Sequence, residues 1–217
     1  MTFDAAFWLI AIGNVSRVLL LLTGLLGLVR WRQLPRGLRY LVAVAWFGLL
    51  VEGTSELMHG HVSNLVLIPL DASGELWLLS LVYAWALGSA RFARWQPWWV
   101  GAFVLYAGVS GLTTPEAKFK TGVLVLESLL LLLLAMLYFR KLLNELRVPR
   151  LTQDPMFWVS TGLVLYSLGK LLISLFSNYM LEHYSRELNL WVWTIHAVLI
   201  AGLYCCYFRA LWMRPQK

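Results

Sequence analysis

Long apolar runs alternate along this chain with short basic connections, and that alternation sets the architecture. A run needs about 20 residues to cross a ~30 Å hydrocarbon layer as a helix. Seven runs approach or exceed that length, at roughly 5–29, 40–59, 64–90, 97–113, 121–139, 156–178 and 189–212. The third is interrupted by Pro69 and Gly74 and carries Asp71 and Glu75, which predicts a kinked helix ahead of the alternative, a loop over its first part. The fourth is short. Asp154-Pro155 ahead of the sixth reads as an N-cap followed by proline at the first helical position. The pattern predicts an all-α chain, a single bundle of seven transmembrane helices with no soluble domain.

Composition identifies the solvent. Of 217 residues, 60% are hydrophobic and 13% charged, with a mean hydropathy of +0.69, too apolar for a soluble domain of this length. A net charge of +7 raises nucleic acid as a partner, but the basic residues fall in clusters between apolar runs, where lipid head groups explain them. Cys205 and Cys206 are adjacent inside an apolar run and offer neither a disulfide framework nor metal spacing. The first run follows MTFDAAFW, with an acid where a signal peptide carries basic residues, and precedes RWR in place of a small-residue cleavage site. It reads as a retained first span. No internal repeat is visible, which weakens a transporter built from duplicated halves.

Lysine and arginine set the expected orientation. One set of connections holds Arg30, Arg32, Arg36, Arg39, Arg91, Arg94, Arg140, Lys141, Arg147, Arg150, Arg209, Arg214 and Lys217. The other holds Lys118, Lys120 and Arg186. This imbalance places the first set in the cytoplasm, the N-terminus outside and the C-terminus inside, and it alternates correctly only with seven spans. Tryptophans near both ends of the runs fit interfacial belts.

Within the runs lie Arg17 and Lys170, five acids (Glu52, Glu56, Asp71, Glu75 and Glu127) and His196. An ionised side chain at mid-membrane costs about 2.5–3.5 kcal/mol on insertion scales, so these groups must pair or face water. At about 1.5 Å per helical residue, most of them fall in the outer half of the bilayer. Glu52 and Glu56 are four apart, as are Asp71 and Glu75, so each pair shares one helix face. If all are ionised, the acids exceed the two bases by three, an imbalance met by protonation, hydration or a bound cation. A shared polar pocket open to the outside is the collective expectation, with Arg17, Glu52, Glu75, Glu127, Tyr166, Lys170 and His196 as ligand-binding candidates. The bland reading stands beside it. Arg17 with Glu52, or Lys170 with Glu127, also reads as an ion pair that orients helices and binds nothing, and His196 as a neutral histidine bonded to a neighbouring helix.

Four functions follow from different uses of this set. The first is a receptor or sensor that binds a small ligand or cation outside and shifts helices for a cytoplasmic partner, with RKLLNELRVPRLTQDP as the longest surface for that partner. The second is a proton- or cation-coupled transporter, opposed by the apolar runs LLLLLLAMLYF and AVLIAGLYCCYF, which offer no stepping stones toward the cytoplasm. The third is a membrane metalloenzyme. Glu56 and His59 form E-x-x-H, and His61, Asp71, Glu127 or His196 are the residues able to complete a site, but a di-iron carboxylate bundle needs two such motifs. The fourth is a retinal protein with Lys170 as the Schiff-base lysine, disfavoured because opsins carry that lysine in the seventh span. No catalytic residue is predicted.

The stretches LLVEGTSELM, SNLVLIPLDASGELWLL, LVLESLLLLLLAMLYFRKLLNEL, DPMFWVSTGLVLYSLGKLLISLFSNYM and LWVWTIHAVL resemble an uncharacterised family of bacterial seven-helix membrane proteins of the Bacteroidota type. That resemblance implies a sensory module of the bacterial inner membrane working with a histidine kinase. It places Glu75, Glu127, Tyr166 and His196 on family positions, whereas Lys170 and the HGH triplet have no counterpart there. The expected partners are the lipid bilayer, a small-molecule or cation ligand, a cytoplasmic signalling protein and a second copy of the chain.

Overall fold

The computed structural model describes residues 5–58, 64–113, 120–145, 151–183 and 185–213. Among them the apolar runs form seven α-helices and no strand: α1 (Ala5–Val29), α2 (Arg36–Met58), α3 (Ile68–Leu87), α4 (Ala90–Thr113), α5 (Thr121–Glu145), α6 (Pro155–His183) and α7 (Arg186–Trp212). Five of them, α1, α2, α5, α6 and α7, are long and apolar enough to cross a membrane. Their outward faces carry large apolar side chains, among them Ile10, Leu50, Leu133, Leu172 and Ile195, all more than half exposed. In water such surfaces would drive aggregation; against lipid they cost nothing. This is a multi-pass membrane protein.

Local chemistry sets the helix ends. Pro69 lies in the first turn of α3, behind a 3₁₀ turn at Asn64–Leu67, so the expected kink is instead a helix start, where a missing N–H is harmless. Gly88 closes α3 at φ 60°, a left-handed conformation that glycine adopts without a Cβ clash. The Nζ of Lys141 donates to the exposed carbonyls of Ala86 and Leu87 at 2.8 and 2.9 Å, meeting the negative end of the α3 dipole. Asp154 caps α6, its Oδ1 accepting from the Met156 N–H at 3.0 Å, and Ser185 caps α7 by accepting from the Leu188 N–H. α4 begins seven residues before the expected span and holds Pro97 in its second turn.

Side-chain contacts fix the topology. Gln96 to Ser80 joins α4 to α3, Arg17 to Glu52 joins α1 to α2, and Asn178 to Thr121 joins α6 to α5, each pair running antiparallel. α1 and α7 run parallel: Ser16 donates to the Ala197 carbonyl and, fourteen residues on, Arg30 donates to that of Leu211. The packing order α1–α2–α3–α5–α6–α7 therefore closes into a ring of six, and α4 packs outside it against α3. Small residues let the backbones approach. A Cβ on Gly74 would stand 2.1 Å from the Phe47 ring, and one on Gly169 2.1 Å from Leu199.

Candidate functional site

The ring encloses a cavity of about 250 Å³ to which each of its six helices contributes and α4 does not. Polar residues enter it at helical spacing. Asp71 and Glu75 lie on one face of α3, Tyr166, Lys170, Ser174 and Ser177 on one face of α6, and Trp193, His196, Tyr204 and Tyr207 on one face of α7. Leu20, Val44, Phe47 and Leu124 complete the wall from α1, α2 and α5. The chamber thus spans from the first turns of α3 and α5 to beyond the middle of α7.

Lys170 is its electrostatic centre. The Nζ stands 2.9 Å from Glu127 Oε2 and 3.4 Å from Glu75 Oε2. The Glu127 side chain is fully buried and that of Lys170 is 7% exposed. The Tyr166 ring lies under the same ammonium at 5.3 Å, a cation–π contact. His196 stacks on Tyr166 at 5.9 Å between ring centroids and meets Trp193 edge-on at 5.6 Å. Not every polar atom here is satisfied: His196 Nδ1 and the Tyr207 hydroxyl are buried without a hydrogen-bond partner.

The expected candidates separate into two groups. Glu75, Tyr166, Lys170 and His196 line the chamber with Asp71, and Glu127 joins them through its ion pair with Lys170. Arg17 and Glu52 lie apart from it. The Nε of Arg17 donates to Glu52 Oε1 at 2.8 Å, its Nη2 donates to Glu56, and the side chains of Arg17 and Glu56 are about half exposed, 46% and 53%. This triad ties α1 to α2 and lines no part of the cavity. The split follows from position along the helices. Leu20 and Gly48 line the chamber, and Arg17 and Glu52, three and four residues away on nearly the same helix faces, stand one turn nearer the helix ends that carry Ala5 and Met58.

The proposed metal set lies only partly within the described residues. Glu56 is held by Arg17, Asp71 faces the chamber, and His59 and His61 lie outside the described residues. Among the described residues no three His, Cys, Asp or Glu side chains group so as to hold a metal ion.

Below the chamber the structure corrects another expectation. Tyr138 and Tyr207, from the two runs read as bare, belong to a descending series of polar groups. Tyr207 meets the Tyr204 ring at 6.4 Å between centroids. The Tyr83 hydroxyl is 2.9 Å from Ser160 Oγ, its ring contacts Tyr138 edge-on, and the Tyr138 hydroxyl donates to Asp154 at the basic end. The sequence holds the signal in the spacing of Tyr166, Lys170, Ser174 and Ser177 and of His196, Tyr204 and Tyr207, but tyrosine and serine are easily passed over as packing residues.

Compared with known proteins, the chain matches no family model, no curated protein and no solved structure.

Proposed function

We propose that this chain is a sensor of the bacterial inner membrane that binds a small ligand in the Lys170 chamber and transmits its occupancy to a cytoplasmic partner. In this reading all seven helices span the bilayer with the N-terminus outside. The antiparallel packing of α3 and α4 and the bias of Lys and Arg toward one end support that topology. The chamber then opens in the outer half, where Asp71, Ser177 and Trp193 lie. The resemblance to bacterial seven-helix proteins favours a histidine kinase as partner.

One observation carries the reading: a lysine paired with two carboxylates from different helices stands at the wall of a cavity, beside unpartnered polar atoms. An ion pair serving only to orient helices needs no void. A ligand that altered the pairing would move α3, α5 and α6 relative to one another, and the Tyr83–Ser160 and Tyr138–Asp154 contacts join the same three helices below. Those contacts also favour a second reading, a proton pathway from the chamber to Asp154.

The test is thermal unfolding of the purified protein with fractionated small-molecule extracts of the source cells. Ser174→Phe, which fills the chamber, is the control. A fraction that raises the wild-type Tm but not that of Ser174→Phe supports sensing; equal effects on both, or none in any fraction, contradict it. Proton flux in liposomes that Glu127→Gln abolishes would support the second reading.

A further inference from the structure

We infer that the chamber's ligand is a small organic ammonium ion with an apolar, preferably aromatic, body. This rests on the sensing reading above and deepens it.

Charge is the first argument. Asp71, Glu75 and Glu127 stand around a single base, Lys170. That base is committed, to Glu127 at 2.9 Å and Glu75 at 3.4 Å. Asp71 lines the chamber and, among the described residues, neither accepts a hydrogen bond nor joins an ion pair. It lies in the first turn of α3, where the helix dipole offsets about half an elementary charge. The remaining deficit takes a positive group beside Asp71 and Glu75. An anion would deepen it, and no lysine or arginine other than the committed Lys170 lines the cavity to receive one.

The walls supply the second, independent argument. Tyr207 is 1% exposed, and its hydroxyl, on the chamber wall, has no hydrogen-bond partner. A ligand N–H would satisfy it by donating to it. Trp193, Tyr204 and Tyr207 line the cavity with aromatic rings, the residue type that holds desolvated ammonium groups. A bare hard cation wants six or more oxygens, whereas Leu20, Val44, Phe47, Ile68 and Leu203 make much of this lining apolar. The cavity, at about 250 Å³, is smaller than the ~300–1,000 Å³ typical of drug-sized ligands. A single ring with a short amino side chain suits it.

The experiment uses the intact protein in lipid nanodiscs and three probes of similar shape and different charge: phenethylammonium, 2-phenylethanol and phenylacetate. Phenethylammonium is expected to raise Tm by several degrees in a saturable manner, with little effect from the other two. Asp71→Asn, nearly isosteric, is expected to fold with an unchanged or higher Tm and to weaken the ammonium effect at least tenfold. Stabilisation by phenylacetate above that of phenethylammonium, an undiminished response in Asp71→Asn, or no response to any probe overturns the inference. If no probe acts while an extract fraction still stabilises the wild type through the chamber, the cation assignment falls and sensing stands. If neither acts, both fall.

Discussion

Lys170 on α6 is shared between Glu127 on α5 and Glu75 on α3, at 2.9 and 3.4 Å, so one buried ammonium ties three helices together. Removing one partner of a buried pair leaves an uncompensated charge and costs about 3–5 kcal/mol, more than the net worth of the pair itself. Lys170→Met is therefore expected to lower Tm by roughly 10 °C for a chain of this size. Lys170→Met/Glu127→Leu should recover much of that loss, because the stranded charge goes too. Thermal unfolding in detergent measures both, and a single variant as stable as the wild type would contradict the assigned pairing.

The Arg17 triad should behave differently. Its members range from a third to just over a half exposed, and exposed pairs are typically worth about 0.2–1 kcal/mol. Arg17→Gln is expected to shift Tm by no more than about 3 °C and to leave ligand response at the chamber intact. Loss of that response would place Arg17 in the binding machinery.

This contrast marks what the sequence could and could not disclose. Apolar runs report helices because each must bury or solvate its own backbone, so α1 matches its expected span at both ends and α7 at its C-terminus. Boundaries failed where polar residues continue a helix past its apolar stretch, as Ala90 to Gln96 do in α4. The cost of intramembrane charge was legible, and it brought attention to Glu75, Glu127, Lys170 and His196. Where each residue stands relative to the cavity was harder. Arg17 and Glu52 carry the same apparent cost, yet they stand one helical turn beyond Leu20 and Gly48, past the end of the cavity lining. Tyr207 and Tyr83 carry no charge to betray them.

Close helix contacts offer a separate test. A Cβ at Gly74 would overlap the Phe47 ring, which itself lines the chamber. Gly74→Ala is expected to cost about 1–3 kcal/mol from overpacking and to change ligand affinity through the displaced ring. Gly53→Ala, where the added methyl meets nothing within 4 Å, is the matched control and should be neutral or slightly stabilising.

Below the chamber, Tyr83→Phe removes the 2.9 Å contact to Ser160 without changing ring packing. The expected cost is about 0.5–1.5 kcal/mol. If those contacts carry the response toward the basic end, ligand binding persists in this variant while coupling to the partner, read as stimulation of its autophosphorylation, declines. Full stimulation would remove this contact from the route.

Access to the chamber tests the account most directly. Ser177 is 2% exposed and lies on the chamber wall, so Ser177→Cys, in a Cys205→Ala/Cys206→Ala background, reports on the cavity alone. The measurement is its modification by a membrane-impermeant, positively charged methanethiosulfonate reagent in spheroplasts and in inverted vesicles. Reaction in spheroplasts, slowed by phenethylammonium, is the predicted result. Reaction only in inverted vesicles, or none from either side of the membrane, would contradict an outward-opening binding chamber.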